Sequence, residues 1–517
     1  MAGDNDKPAL RVPDRWRPST PAVILGAACL TLHVAFNASY GVFRDELYFI
    51  VCGRHPAFGY VDQPPLVPLI AAASDDLFGT ALTPLRLAPA LAMAATVAMT
   101  AEFARLLGGG RFAQWLSGLA VLLAPIFLVN GLLLSTDMLQ PLTWLGCSWC
   151  LTRLTQTRDE RWWLPFGAIV GVSFESKYLI AFYAVGLAIG VIATPLRRSL
   201  LHPWIYGGAA IAVSIAAPNL AWQATHGWPF LEIASAGAAG KNLTLSPLAF
   251  IGQQALLVGP VAAPMWIAGL WSLSTRSPEP ELRVFPVAYV VMAIFFVVSH
   301  GKAYYLAPIY PTLLAAGAIA VESWFASRVF RRSATSAIVV AGLATLPIVL
   351  PVLPPDQLIH YSRALGLAPS TTATERGAQS VLPQYFADMF GWREMAAQVS
   401  AVYRALPAID RKDAVFFGRN YGEAAALDVY GPSLQGPPAI SGHNTYFLWG
   451  PRGFSGAVVI VAGGDASRLA TMFSDVQVAG RIDNPYAMPF ETNIPVYVLR
   501  SPRAPLSEIW PTLKHYD

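Results

Sequence analysis

The chain has 517 residues, 55% of them hydrophobic and only 13% charged, against roughly 25% charged in an ordinary soluble domain. With a mean hydropathy of +0.46, this composition excludes an all-soluble chain and indicates a polytopic membrane protein. The 35 lysines and arginines nearly balance 31 acids, a net charge of +4, which excludes a nucleic-acid binder that works by neutralising phosphates.

Lys7, Arg11, Arg15 and Arg17 precede the apolar run that begins at Pro21. No small-residue cleavage site follows that run and further spans do, so it reads as a retained first helix and not as a leader. Runs of the ~17–25 apolar residues that cross a bilayer fall near 21–40, 84–104, 112–133, 138–155, 163–176, 178–195, 204–223, 248–273, 284–299, 304–324 and 335–353. Cytoplasmic connections retain arginine and lysine. Alternate connections hold Arg105 and Arg111, then Arg153, Arg158 and Arg161, Arg197 and Arg198, Arg276 and Arg283, and Arg328, Arg331 and Arg332, on the same side as the N-terminus. The opposite side carries only Arg44, Arg54, Arg86, Lys177, Lys241 and Lys302. Eleven spans with the N-terminus inside therefore place the C-terminus outside.

The expected architecture is mainly α: a cytoplasmic segment 1–20, a transmembrane helix bundle 21–355 with an outer loop 41–83, and a small extracytoplasmic α/β domain 356–517. In that domain Ala414–Gly418 and Gly456–Ala462 read as buried strands and Gly422–Tyr430 as a helix after the first. Cys29, Cys52, Cys147 and Cys150 form neither a disulfide framework nor a zinc pattern, and the C-x-x-C of Cys147 and Cys150 lies in an apolar helix, where packing explains it. No internal repeat is visible, which argues against a transporter built from duplicated halves.

Acids collect on the outer side: Asp45, Glu46, Asp62, Asp75, Asp76, Asp137, Glu175 and Glu232. Asp45 and Glu46 lie just beyond the first span, with Asp62 following in Tyr60-Val61-Asp62-Gln63-Pro64-Pro65 and Asp137 in Leu134-Ser135-Thr136-Asp137. Carboxylates in one cleft serve as general bases or hold a divalent cation; the same residue types also cap helices. Lys177 and Lys302 sit at comparable depth, where a cation either snorkels to head groups or meets a lipid phosphate, and Arg86 can join them. Gly418–Glu423 opens a helix after a strand, which suits turn chemistry or an anion contact, and the aromatic stretch Ser441–Gly450 suits carbohydrate stacking or the membrane interface.

These motifs resemble those of integral-membrane glycosyltransferases with the GT-C fold, family 39, the bacterial relatives of protein O-mannosyltransferases and of the lipid A aminoarabinose transferase. The resemblance rests on Arg44-Asp45-Glu46 with Tyr48 and Phe49, Tyr60 to Leu66, Ser135-Thr136-Asp137, Ser176-Lys177-Tyr178 and Lys302 to Pro308, in order and on one side. It implies transfer of a monosaccharide from a polyprenyl-phosphate donor to a lipid, protein or glycan acceptor outside the plasma (inner) membrane, with inversion. It further implies Asp45, Glu46 and Asp137 as catalytic acids and Lys177, Lys302 and Arg86 as phosphate ligands. Asp45, Asp62 and Asp137 would be the residues of a divalent metal site if one exists, no organic cofactor is implied, and Tyr48, Gln63 and Tyr305 would contact donor or acceptor. Gln63 stands where the aminoarabinose transferases carry lysine in an acid-Lys-Pro pattern, which removes a positive charge from the donor site. A transporter or flippase of a lipid-linked sugar is the alternative; it would place ionisable groups nearer the bilayer midplane. In a chain with its native cysteines replaced, single cysteines at 45 and 137 are expected to label with an impermeant reagent from outside and one at 158 only after permeabilisation. Labelling of 45 and 137 from opposite sides would rule out a shared site.

Overall fold

Backbone groups in lipid must find partners within their own segment, and every long apolar run of this chain accordingly falls on helix. The computed structural model describes residues 17–237, 243–367 and 380–517; Lys7, Arg11, Arg15 and Lys241 lie outside the described residues. Helix α1 (Thr20–Phe36) starts where Ser19 Oγ accepts from Ala22 N at 3.4 Å and Pro21, which needs no N–H partner, occupies the first turn.

Among the described residues, five helical stretches are long and apolar enough to cross a membrane: Leu82–Leu106, Pro203–Thr225, Pro280–Val298, Ala303–Trp324 and Arg328–Val349. Three broken pairs bring the number to eight, so eleven uninterrupted spans are not found. The run 112–133 bends by 63° between Arg111–Leu122 and Pro125–Leu132. The run 178–195 bends by 100° before Pro195, and 248–273 by 107° between Pro247–Val258 and Ala263–Thr275. Proline lies at or beside each break, removing an amide donor from the helical ladder.

The segment 41–83, expected to connect two spans, contains α2 (Arg44–Arg54), α3 (Leu66–Phe78) and a short turn, Leu82–Leu85. Residues Glu46 to Gly53 of α2 are all buried. A solvated loop does not fit because the Leu47–Cys52 run is covered on every side by the membrane helices, α3 and the C-terminal region.

That region carries a five-stranded sheet ordered β2-β1-β3-β5-β4, from β1 (Ala414–Gly418), β2 (Ala439–Ser441), β3 (Val458–Ala462), β4 (Phe473–Ile482) and β5 (Ile494–Pro502). Strands β2, β1 and β3 run parallel, with Val415 opposite Val459, and β5 joins β3 antiparallel, with Val498 opposite Ile460. The all-apolar β3 is buried on both faces, as a central parallel strand requires. Its Ile460 faces a core built with the helices Trp392–Ala405 and Tyr421–Leu434, and its Val459 and Val461 face Leu506 and Trp510.

The first of these cores also contains Leu47, Tyr48, Ile50 and Val51 of α2 and Val67 and Ala71 of α3. The sheet region and helices α2 and α3 therefore bury one another directly. At the opposite end, connections that the charge pattern puts inside meet: Arg158 pairs with Glu281 at 2.5 Å, and Glu322 accepts from Gly110 N at 2.7 Å.

Close helix crossing is set by small residues. A Cβ on Gly208 would fall 2.2 Å from the carbonyl oxygen of Trp163, and one on Gly167 only 1.9 Å from that of Gly208, so the helices Trp163–Phe174 and Pro203–Thr225 meet backbone to backbone. Gly208→Leu is expected to separate them and lower the melting temperature of the detergent-solubilised protein by several degrees, whereas Gly252→Leu, where nothing lies within 4 Å, leaves it unchanged.

Candidate functional site

Successive residues of a helix point about 100° apart, and at the start of α2 this sends two adjacent carboxylates to different fates. Glu46 is fully buried. Its Oε1 accepts from Arg86 Nε at 2.8 Å and Leu134 N at 3.0 Å; its Oε2 accepts from Arg86 Nη2 at 2.7 Å and Phe43 N at 2.9 Å. Arg86 is also fully buried, donating further to the Gly41 and Asn37 carbonyls. The structure thus corrects two expectations: Glu46 has no oxygen left to take a proton from a substrate, and Arg86 presents no donor to a phosphate.

Asp45 points the other way, with its side chain 33% exposed. Its Oδ1 accepts from the Tyr421 hydroxyl at 2.7 Å and lies 3.5 Å from Arg44 Nε. Tyr421 begins the helix Tyr421–Leu434, capped by Asn420 Oδ1 on Glu423 N at 3.0 Å, and Gly422 allows the approach, since a Cβ there would lie 2.5 Å from Arg44 Cγ.

Tyr48, one turn after Asp45, stacks on Tyr421 with ring centres 4.6 Å apart and is fully buried. Its hydroxyl lies 2.9 Å from Asp62 Oδ1 and 2.6 Å from Thr445 Oγ1, which also accepts from Val61 N at 3.1 Å. Gln63 is buried as well, its Nε2 directed at Cys52 Sγ at 3.9 Å. Neither Tyr48 nor Gln63 is presented to a substrate: the Tyr48 hydroxyl is taken up by Asp62 and Thr445, and Gln63 turns inward against Cys52 of α2.

The same turn leads to a second group of charges. Leu66 N donates to Glu175 O at 3.0 Å, two residues before Lys177. Lys177 Nζ is 2.7 Å from Asp137 Oδ2 and lies over the rings of Tyr304 and Tyr305 at 5.4 and 5.1 Å. Lys302 Nζ faces Tyr304 from 6.0 Å. Asp137, Lys177, Lys302 and Tyr305, four residues singled out from the sequence, come together here. The carboxylate and the ring faces offset the loss of water around Lys177, which is only 20% exposed. Ser135 and Thr136 do not cap the next helix, which begins at Gln140; the Thr136 carbonyl accepts from Ser176 Oγ at 2.9 Å and ties the two segments together.

Asp45, Asp62 and Asp137 do not assemble into an ion site: each is tied to a separate partner, Tyr421, Tyr48 and Lys177 respectively. Among the described residues no group of three or more His, Cys, Asp or Glu side chains is placed to hold a metal.

Residues beyond the sequence expectations support the turn. Asn219 donates to Phe58 O at 2.9 Å and accepts from Tyr178 at 2.9 Å, and Gln223 donates to Tyr60 O at 3.2 Å and to the Tyr178 hydroxyl at 3.0 Å. Two amides in the otherwise apolar run 204–223 were the available signal. Tyr421 and Thr445 gave none, being ordinary polar residues some 400 positions away. The Gly418–Glu423 segment is not an open anion site. Arg419 pairs with Glu423 at 2.7 Å, and burial pushes the Glu423 and Glu491 carboxyls up while Arg419 pulls both back.

Residues 62–222 match the family of dolichyl-phosphate-mannose-protein mannosyltransferases. The lipid A galacturonosyltransferase RgtD of Rhizobium johnstonii is 27% identical over 328 residues, 61% of this chain and 67% of that protein. ArnT from Cupriavidus metallidurans, solved bound to undecaprenyl phosphate and in the apo state, superposes with a TM-score of 0.59 over 92% of this chain and 97% of its own, at 15% identity. Asp62, Asp137 and Lys177 fall within the matched family region, whereas Asp45, Arg86's partner Glu46 and Lys302 lie outside it.

The buried pair makes a direct prediction. Arg86→Met leaves the Glu46 carboxylate uncompensated and is expected to destabilise the fold by ~3–5 kcal/mol. Adding Glu46→Gln should recover much of the melting temperature, and no recovery would mean that Arg86 acts through other contacts.

Proposed function

Starting from a chain with the GT-C glycosyltransferase fold, we propose that it transfers a monosaccharide from a polyprenyl-phosphate donor to an acceptor at the outer face of the plasma membrane, with inversion at the anomeric carbon. The observation that carries this reading is that one turn touches two unlike groups: through Asp62 it meets Tyr48, on the helix that carries the partly exposed Asp45, and through Leu66 it meets the segment of Lys177, which with Lys302 lies over tyrosine rings. The likeness to ArnT, solved with undecaprenyl phosphate, and to a lipid A glycosyltransferase supports a lipid-linked donor and favours a lipid acceptor over a protein or glycan.

A sugar on a lipid phosphate already has a good leaving group. The protein must remove the acceptor's proton and accommodate the charge that develops on the departing oxygen. Asp45 takes the proton from the acceptor hydroxyl or amine as that atom attacks the anomeric carbon, a contribution of about 10²- to 10⁴-fold. The bond from the anomeric carbon to the phosphate oxygen breaks on the opposite face, and Lys177 and Lys302 hold the polyprenyl phosphate that leaves. Asp137 takes one of the three lysine hydrogens at 2.7 Å and orients the ammonium, leaving the others for phosphate. No step requires a metal.

The test is transfer by the purified full chain from a panel of polyprenyl-phosphate monosaccharides. Asp45→Asn is expected to lower turnover at least 100-fold, and Lys177→Ala or Lys302→Ala to raise the donor KM about tenfold. Unchanged donor affinity in both lysine variants would refute the phosphate assignment, and uptake of a lipid-linked sugar into vesicles without transfer would favour the flippase alternative.

A further inference from the structure

Tyr421 belongs to the sheet region, yet its hydroxyl ends on the outer carboxylate of the membrane part. We propose that Tyr421 is a positioning residue for the reaction: its hydroxyl fixes the Asp45 carboxylate so that the second oxygen faces the acceptor, which makes the C-terminal region a constituent of the active site. The inference rests on the reading of Asp45 as the general base given above.

Four observations carry it. The hydroxyl donates to Asp45 Oδ1 at 2.7 Å, and among the described residues nothing bonds Oδ2. A carboxylate held through one oxygen cannot rotate freely, so the other keeps a defined direction, as general-base geometry demands. The tyrosine is itself immobile: 7% exposed, stacked on Tyr48, with the Arg44 guanidinium 5.4 Å from its ring centre and His443 4.8 Å away on another side. Finally, its hydroxyl remains a donor. Burial pushes its pKa well above the ordinary tyrosine value; the nearby Arg44 opposes this and the Asp45 charge reinforces it. Thr445, on the segment after β2, holds the Tyr48 hydroxyl that faces Asp62, so the same region braces both ends of the carboxylate-bearing turn.

The structure separates this role from simple packing. Tyr421→Phe keeps the stacked ring and deletes only the hydroxyl. In the purified full chain, with a polyprenyl-phosphate sugar as donor, kcat is expected to fall about tenfold, with the donor KM within twofold of wild type and an unchanged melting temperature. The donor site is built from Lys177 and Lys302 and does not involve Tyr421, so KM has no reason to move. Wild-type kcat in Tyr421→Phe, with Asp45→Asn inactive, would overturn the positioning role and leave the base assignment standing. A fall in kcat matched by loss of folded protein, or a raised KM at wild-type kcat, would overturn it equally. Full turnover by Asp45→Asn would instead remove the base assignment and the positioning role with it.

Discussion

The buried pair of Glu46 and Arg86 fixes the start of α2, on which the candidate site depends. Both side chains are shielded from water: the carboxylate takes four donors, and the guanidinium gives two hydrogen bonds to it and two to backbone carbonyls. A pair of this kind contributes little net stability over an apolar core of equal volume, but removing one partner is costly. Its effect here is directional. By anchoring the first turn of α2 to the start of the helix at Leu87, it leaves Asp45, the neighbouring residue, only one way to face.

From that anchor the remaining parts are arranged by packing. Helices α2 and α3 and the sheet share one apolar core, so the position of the sheet is fixed by the same contacts that bury Leu47, Tyr48 and Val51. The 60–66 turn crosses from this core to the segment of the Asp137 and Lys177 pair and is held at its start, at the Phe58 and Tyr60 carbonyls, by amides from the helix Pro203–Thr225. Rigid elements on three sides thus position groups whose own chemistry is simple: one exposed carboxylate and two cations set over tyrosine rings.

Much of this was legible in the residues. Apolar run length marked the helices, and the alternation of arginine-rich connections marked two ends of the bundle, whose same-side segments do meet, as Arg158 and Glu281 show. Asp137, Lys177, Lys302 and Tyr305, distant in the chain, lie together in the structure. What one dimension could not show is which member of an adjacent pair turns inward. Asp45 and Glu46 look equivalent in a sequence, and Arg86 looks available, until the pairing of residues 40 positions apart is known. Breaks within spans were equally hidden, because an apolar average does not register the amide that a proline lacks. Tyr421 and Thr445 were invisible for a different reason: their significance comes wholly from the residues they touch, in a part of the chain made last.

That last point bears on how the protein is made. The hydroxyl on Asp45 comes from a residue 376 positions downstream, and that on Tyr48 from one 397 downstream. Helices α2 and α3 are synthesised long before the sheet that shares their apolar core. Contacts of such separation form late. Until the sheet docks, α2 exposes Leu47, Tyr48 and Val51, surface that chaperones recognise, and lacks the tyrosine contact on its carboxylate. Burial of α2 and completion of the Asp45 contact therefore depend on one event, the docking of the sheet region against that helix.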